Sequence, residues 1–186
     1  MSAGALLLFP GAGSDRTHSS LVAIEQAVAP LPTVRADFPY RKAGKRAPDR
    51  APVLLDSVRD EAASLSASSG VAPERIVLGG RSMGGRMCSM AVADGLPAAG
   101  LVLISYPLHP PGKPERLRVE HLPAITVPCL FLHGTKDPFG TPDELTQWTA
   151  TIAGPVRHVW LEGKRHELAG ADAAIAGHIA DWLREL

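Results

Sequence analysis

The sequence predicts an α/β protein, a three-layer α/β/α sandwich on a mostly parallel sheet of about six strands. Short apolar runs alternate along the chain with longer segments of helical periodicity. Runs that are apolar throughout are typical of strands that helices cover on both faces. The length of 186 residues suits one full hydrophobic core, so we expect a single domain over residues 1–186.

Six runs are strand candidates, and each is followed by a segment rich in glycine, proline or charged residues. They are Ala5 to Phe9, Thr33 to Phe38, Arg75 to Gly79, Gly100 to Pro107, Pro128 to Gly134 and Val156 to Glu162. In open parallel sheets, ligands bind outside the carboxyl ends of the strands. A functional site is therefore expected in the segments that follow these runs.

Between the strands, five segments have helical periodicity. They are Thr17 to Ala29, with Asp15 or Ser14 near its start, Pro52 to Ser69, Gly85 to Ala93, Thr141 to about Ala153, and Gly170 to Leu186. In the second, an apolar stripe consists of Val53, Leu54, Val58, Ala62 and Leu65. Residues 39–52 are expected to form a basic loop, and residues 109–124 an irregular, proline-rich segment with one helical turn.

Composition excludes several classes of protein. Lys+Arg and Asp+Glu number 19 each, which argues against a binder of nucleic-acid backbones. Cys88 and Cys129 lie in apolar contexts and are predicted to be buried thiols. The apolar N-terminal run is too short for a signal peptide, and no run approaches the length of a membrane span. We therefore expect a cytoplasmic protein.

The segment after the third strand carries the strongest chemical signal. Gly80, Ser82 and Gly84 fit the pattern G-x-S-x-G, with a strand before it and a helix after it. A serine on this tight turn projects its hydroxyl from the sheet edge, and the glycines remove β-carbons that would collide where strand and helix meet. The pattern predicts a nucleophilic serine.

Such a serine needs a base, and the base needs a group that orients it. Asp137 follows the fifth strand and His166 follows the sixth, in the chain order serine, acid, histidine. The alternatives are weaker. Among the histidines, His158 falls inside a strand, His178 inside a helix and His133 at a buried strand end. Among the acids, Asp143 lies in the first turn of a helix and Glu162 lies too near His166.

An acyl-transfer site also needs two hydrogen-bond donors for the developing oxyanion. One is expected to be the backbone N–H of Met83, which follows the nucleophile. The other is expected from the glycine-containing loop after the first strand, at the N–H of Ala12.

Taken with these motifs, the chain resembles the α/β-hydrolase superfamily, in particular a compact branch related to dienelactone hydrolases and to the testis-expressed and nonspecific-lethal-complex hydrolase-like proteins. The matching segments are "PGAGSD", "GGRSMGGR", "SYPLHPPGKPERLRVEHLP" and "HGTKDPFGTPDEL". The resemblance implies a triad of Ser82, Asp137 and His166 and an oxyanion loop at 11–13. The sequence departs from the family pattern at two points. Pro10 stands where many relatives carry histidine, and the sequence opens directly on the strand before the oxyanion loop.

Two rival interpretations were weighed against the hydrolase. A nucleotide-binding fingerprint is contradicted by Arg16 at the position of its third glycine, and a P-loop by Arg86-Met87 after the last glycine. A non-catalytic scaffold, as some relatives are, stays an alternative. Histidine and cysteine spacings match no zinc site, so neither metal nor cofactor is expected.

The sequence therefore predicts a serine hydrolase of the carboxylesterase or thioesterase type, acting on a small ester or thioester. Weaker candidates for substrate contact are Tyr40, Tyr106, Phe139 and Arg81, the last of which has internal pairing as its alternative. The basic residues Arg41, Lys42, Lys45 and Arg46 either steer an anionic substrate or form a solvated loop. The oligomeric state is left open.

Overall fold

The computed structural model describes residues 3–186, which form one six-stranded, all-parallel sheet. The strands are β1 (Ala5–Phe9), β2 (Thr33–Arg35), β3 (Ile76–Arg81), β4 (Gly100–Ile104), β5 (Cys129–Gly134) and β6 (Val156–Leu161). Across the sheet their order is β2-β1-β3-β4-β5-β6. The predicted fold class is confirmed.

The helices connect these strands and cover both faces of the sheet. They are α1 (Ser19–Ala27), α2 (Pro39–Lys42), α3 (Ala51–Ser69), α4 (Met83–Ala93), α5 (Pro142–Thr149) and α6 (Asp172–Glu185). Single 3₁₀ turns occupy Pro73–Arg75 and Leu122–Ala124. Within residues 3–186, no helix is both long and apolar enough to cross a membrane.

Alternate residues of each buried strand face opposite layers, which explains the fully apolar runs. In β1, Leu7 and Phe9 pack in the core shared with α3, α4 and α5. Leu6 and Leu8 pack in the second core, which α1 and α6 cover. Each strand in the middle of the sheet therefore needs apolar side chains on both faces.

Several predicted boundaries were wrong, each for a local reason. α1 begins later than expected because the side chain of His18 accepts the N–H of Ser20 as its cap, while Asp15 caps the preceding turn through Thr17. The basic loop contains α2, which Pro39 starts with its fixed φ. On α3, Val53 is 44% exposed and lies off the buried stripe.

The order of the strands creates a crevice at one place on the sheet edge. β1 and β3 are neighbours, but the chain continues from β1 into α1 on one face and from β3 into α4 on the other. Segments that leave adjacent strands toward opposite faces open a gap between them, where ligands bind in open α/β sheets. The segments after β1 and β3 therefore flank the expected site.

Candidate active site

Ser82 occupies the corner between β3 and α4 in a conformation that few residues adopt. Its φ is 46° and its ψ is −114°, which lies outside the helical and extended regions. Backbone strain of this kind costs on the order of 1–3 kcal/mol and persists only where the surroundings impose it. α4 begins at Met83, two residues before the predicted start, so the helix starts directly after the serine.

The surrounding glycines are required because three backbone segments almost touch. A β-carbon at Gly80, whose φ is +151°, would lie 2.0 Å from the carbonyl oxygen of Phe9. One at Gly84 would lie 2.5 Å from the same oxygen, and one at Gly85 would lie 2.7 Å from the oxygen of Gly80. These separations are shorter than any real β-carbon contact, so only glycine fits.

Replacing Gly80 by alanine is expected to lower the free energy of unfolding by about 3 kcal/mol or more, because β1 and β3 must separate to admit the methyl group. Gly177→Ala is the matched control, since its added β-carbon meets no heavy atom of the described chain within 4 Å apart from its chain neighbours and the nearby backbone of its own helix. In the interior of α6, that change is expected to stabilise by about 0.5–1 kcal/mol. Denaturant unfolding measures the change in the free energy of unfolding for both variants. If Gly80→Ala unfolded at the same denaturant concentration as the wild type, the close approach of β1 and β3 at Gly80 would be contradicted.

The structure brings Ser82, His166 and Asp137 into one hydrogen-bonded row. The Nδ1 of His166 lies 2.8 Å from Oδ2 and 3.0 Å from Oδ1 of Asp137. Because a carboxylate only accepts, Nδ1 carries the proton and Nε2 is left as an acceptor. The hydroxyl of Ser82 lies 2.9 Å from Nε2 and donates to it.

Asp137 is buried, its carboxylate is bound by one backbone N–H, and a second imidazole lies nearby. Its Oδ1 accepts the backbone N–H of Phe139 at 2.8 Å, which fixes the carboxylate plane. His133 lies 3.6 Å from Oδ2, beyond hydrogen-bond distance, and donates its Nε2–H to the carbonyl of Gly140 at 2.9 Å. Burial lowers the pKa of His133, so this imidazole stays neutral beside the carboxylate.

The segment that carries His166 is tied to the sheet by buried donors. Ser105, fully buried after β4 with φ 50°, donates its hydroxyl to the carbonyl of His166 at 2.8 Å. Arg81, 6% exposed, donates to the carbonyl of Glu167 at 2.9 Å. Burial lowers the pKa of the Arg81 guanidinium, which nearby carboxylates partly offset. These bonds restrict where the imidazole can lie.

The same segment also contacts the one that bears Asp137. The N–H of Lys136 donates to the carbonyl of Lys164 at 2.9 Å. A β-carbon at Gly134 would lie 2.3 Å from that carbonyl oxygen, so glycine permits the approach. The segments after β5 and β6 are thereby joined at the sheet edge.

The two predicted oxyanion donors, Met83 and Ala12, belong to segments next to Ser82 and line the same cleft. Met83 is the first residue of α4, so its N–H has no acceptor within the helix. The loop containing Ala12 passes beside the serine: a β-carbon built at Gly11 would lie 3.6 Å from the β-carbon of Ser82. The hydroxyl of Tyr40 donates to the carbonyl of Ala12 at 2.8 Å and fixes the orientation of that peptide.

A cleft of about 660 Å³ opens at these residues. Its walls come from the segment after β1, the start of α3, the first turns of α4, the segment after β4 and the segment around His166. The lining residues are Gly11, Ala12, Gly13, Ser14, His18, Pro48, Asp49, Ala51, Leu54, Arg81, Ser82, Met83, Arg86, Met87, Pro107, Arg118, Phe139, His166 and Glu167. Phe139 stacks on the His166 ring, with centroids 4.0 Å apart.

Two of the weaker sequence predictions were wrong. Tyr40 and Tyr106 are each 1% exposed, and neither lines the cleft. Tyr40 packs beneath the loop after β1, and Tyr106 points into the core, where its ring meets Phe131 edge-on. Arg81 does reach the wall of the cleft, but its guanidinium binds backbone carbonyls, as in its alternative of internal pairing.

The basic residues of the predicted loop are divided between two roles. Arg41 pairs with Asp15 at 3.2 Å and Lys42 with Glu61 at 2.5 Å. Lys45 is exposed, as is Arg46.

Among the rival triad members, Glu162 and Asp143 are exposed, His158 lies in β6 and His178 lies in α6. Cys88 and Cys129 are buried free thiols, as predicted.

Sequence reasoning missed three residues around the site. Ser105 carried no signal, because its role depends on a segment distant in the chain. Arg86 stands four residues after Ser82, a spacing that places two residues on one helix face and would have been sufficient to identify it. Arg118 lies in the proline-rich segment, where no periodicity indicates a direction. In residues 3–186, no cluster of three or more histidine, cysteine or acidic side chains is arranged to hold a metal.

A serine on a strained strand-to-helix turn at the edge of a parallel sheet is the arrangement found in α/β hydrolases. The chain belongs to the family described as alpha/beta hydrolase domain, whose model matches residues 2–178. The resemblance to the α/β-hydrolase superfamily is confirmed, and the protein is a hydrolase of that family.

Solved structures of low sequence identity share the fold. Est1E from Butyrivibrio proteoclasticus matches with a TM-score of 0.78 at 14% identity, over 99% of this chain and 88% of that one. A dienelactone hydrolase from Anabaena variabilis matches with a TM-score of 0.77 at 18% identity, over 98% and 87%. A putative hydrolase of the alpha/beta superfamily from Xanthomonas campestris pv. campestris matches with a TM-score of 0.72 at 20% identity, over 98% and 99%.

Proposed function

We propose that this protein is a serine hydrolase that cleaves a small ester or thioester through an acyl-enzyme on Ser82. The observation that carries the proposal is the continuous hydrogen-bonded row from Ser82 through His166 to Asp137, with both of its contacts below 3.0 Å. Its three members come from three separate segments, which follow β3, β5 and β6. The dienelactone hydrolase and the hydrolase of the alpha/beta superfamily among the structural neighbours are consistent with this chemistry.

In the first half of the reaction, Ser82 attacks the substrate carbonyl while His166 Nε2 accepts the hydroxyl proton. Asp137 holds the tautomer with Nδ1 protonated and stabilises the imidazolium that forms. The imidazolium then gives its proton to the leaving alcohol or thiol, and the acyl group remains on the Ser82 oxygen. Water, deprotonated by His166, releases the acid in the second half.

The oxyanion of each tetrahedral intermediate would lie between the backbone N–H groups of Met83 and Ala12. One such donor is worth on the order of 10²–10³ in rate. The hydroxyl of Tyr40 binds the carbonyl of Ala12 and so restrains the residue that carries this donor, while the donor N–H itself belongs to the preceding peptide. Preformed donors need no reorganisation as charge develops, which is the source of their effect.

A fluorophosphonate probe tests the proposal directly. The activated serine attacks phosphorus and becomes covalently labelled, so the wild type is expected to gain one adduct by mass spectrometry while Ser82→Ala gains none. An ester panel of graded acyl length, run on both proteins, then gives the preferred acyl size. Folded wild-type protein that stays unlabelled and hydrolyses no ester would instead favour a non-catalytic scaffold.

A further inference from the structure

Two arginines that the proposed chemistry does not use line the cleft. Arg86 lies on the same face of α4 as Met83 and Met87, which also form the wall. Arg118 reaches the cleft from the segment that follows β4. Both guanidinium groups are partly buried, and both belong to the cavity that contains the Ser82 hydroxyl.

Among the described residues, Arg86 has no side-chain partner that would explain its position. Its Nε is buried and no acceptor among residues 3–186 reaches it. Within the same residues, neither Arg86 nor Arg118 forms an ion pair or a hydrogen bond with a carboxylate. A desolvated guanidinium N–H without an acceptor is costly, and the cost is removed when a ligand supplies one.

The backbone of Arg118 is fixed at two points. Its N–H donates to the carbonyl of Leu108 at 2.9 Å, and its carbonyl accepts the hydroxyl of the buried Tyr106 at 2.7 Å. One guanidinium nitrogen is 3.4 Å from the carbonyl of Pro107, and no other acceptor within residues 3–186 is bonded to this guanidinium. The side chain therefore leaves a rigid segment toward the cleft.

This wall of the cleft is electrostatically positive. The charge of Arg86 lowers the pKa of Arg118, after the larger effect of burial. The pKa of His121, lowered to about 4, has the same two causes in the same order. Asp49 and Glu167 also line the cleft, but neither pairs with these arginines. A second positive group close to a first, both partly desolvated, favours binding of an anion.

We propose that Arg86 and Arg118 bind an anionic group on the substrate, so that the ester or thioester cleaved at Ser82 carries a carboxylate or a phosphate-type anion. This inference rests on the proposed hydrolase function. The planar fork of arginine binds either anion through paired N–H donors, which lysine cannot match. The four-residue separation from Ser82 spans about 6 Å of helix axis, so the anion is expected a few bonds away from the reacting carbonyl.

Two chromogenic esters test the inference: the 4-nitrophenyl monoester of glutaric acid and its uncharged counterpart, 4-nitrophenyl methyl glutarate. The readout is the ratio of their kcat/KM values in one protein preparation, in which the active fraction cancels. We expect the wild type to favour the charged ester by about 10-fold or more, and Arg86→Met and Arg118→Met each to lower the ratio by about 10- to 100-fold. A phosphonate-ended ester of the same length decides which anion is preferred.

Arg116→Met is the matched control, because Arg116 is exposed and does not line the cleft. It removes the same charge two residues from Arg118 and is expected to leave the ratio unchanged. The inference is overturned if the wild type shows no preference for the charged ester, if Arg86→Met keeps the wild-type ratio, or if Arg116→Met lowers the ratio equally.

A binding measurement separates this inference from the proposed function. Glutarate is titrated calorimetrically into Ser82→Ala and into Ser82→Ala carrying Arg86→Met. Binding to the first protein and loss of binding in the second supports the anion site even if no ester is hydrolysed. Hydrolysis that depends on Ser82, without glutarate binding and without preference for the charged ester, would leave the hydrolase proposal standing and overturn the anion site.

Discussion

Ser82→Ala is expected to lower kcat for any ester that the wild type hydrolyses by about 10⁴- to 10⁶-fold. The change removes the only hydroxyl that donates to His166 Nε2 in the described chain, so no acyl-enzyme forms. The remaining rate would come from water attack with the oxyanion donors still in place. Initial rates with a 4-nitrophenyl ester measure the loss, at enzyme concentrations high enough to detect the remaining activity.

The matched control for this change is Ser64→Ala. Ser64 is an exposed serine within α3, so the same atom is removed far from the site and kcat is expected to stay at the wild-type value. Ser82 also holds a strained conformation, and alanine must adopt the same φ of 46°. Circular dichroism of both variants shows whether the fold is kept; wild-type kcat in a folded Ser82→Ala protein would rule out the acyl-enzyme.

Asp137→Asn is expected to lower kcat by about 10⁴-fold with little change in shape. An asparagine that keeps the Phe139 N–H bond on its oxygen turns its NH₂ toward His166 Nδ1. The imidazole then becomes an acceptor at Nδ1 and carries its proton on Nε2, where it can no longer accept from Ser82. The base is present but in the wrong tautomer.

Asp143→Asn supplies the comparison, because Asp143 is an exposed carboxylate in the first turn of α5. It loses the same charge and is expected to keep wild-type kcat, with at most a small loss of helix stability. Labelling by the fluorophosphonate should slow in Asp137→Asn to the same extent as ester turnover. If Asp137→Asn and Asp143→Asn had equal rates, Asp137 would not act on His166.

The layered fold could be predicted because its signal is local. A run such as Ala5–Phe9 is apolar at every position, and only a strand covered on both faces requires this. The tight turn at Ser82 could be predicted equally well, because the glycines at 80 and 84 mark a steric restriction that no other residue satisfies. Boundaries such as the start of α1 depended on which of several polar side chains caps the helix, and sequence does not rank them.

Contacts between distant segments could not be predicted in the same way. Tyr40 and Tyr106 are aromatic residues after strands, a position compatible with a cleft wall or with the core. Their hydroxyls meet the carbonyls of Ala12 and Arg118, and these partners are visible only once the segments are folded together. The pairing of Ser105 with the carbonyl of His166 spans 61 residues and has the same cause.

Burial of both cysteines has a practical consequence for spectroscopy. Cys88 is 0% exposed and Cys129 1%, and burial raises the pKa of each thiol, that of Cys129 to about 12. The sequence contains no other cysteine. A cysteine introduced on the surface of α3 would therefore react alone with a maleimide, so a spin label or fluorophore could be attached at one chosen position of the native chain.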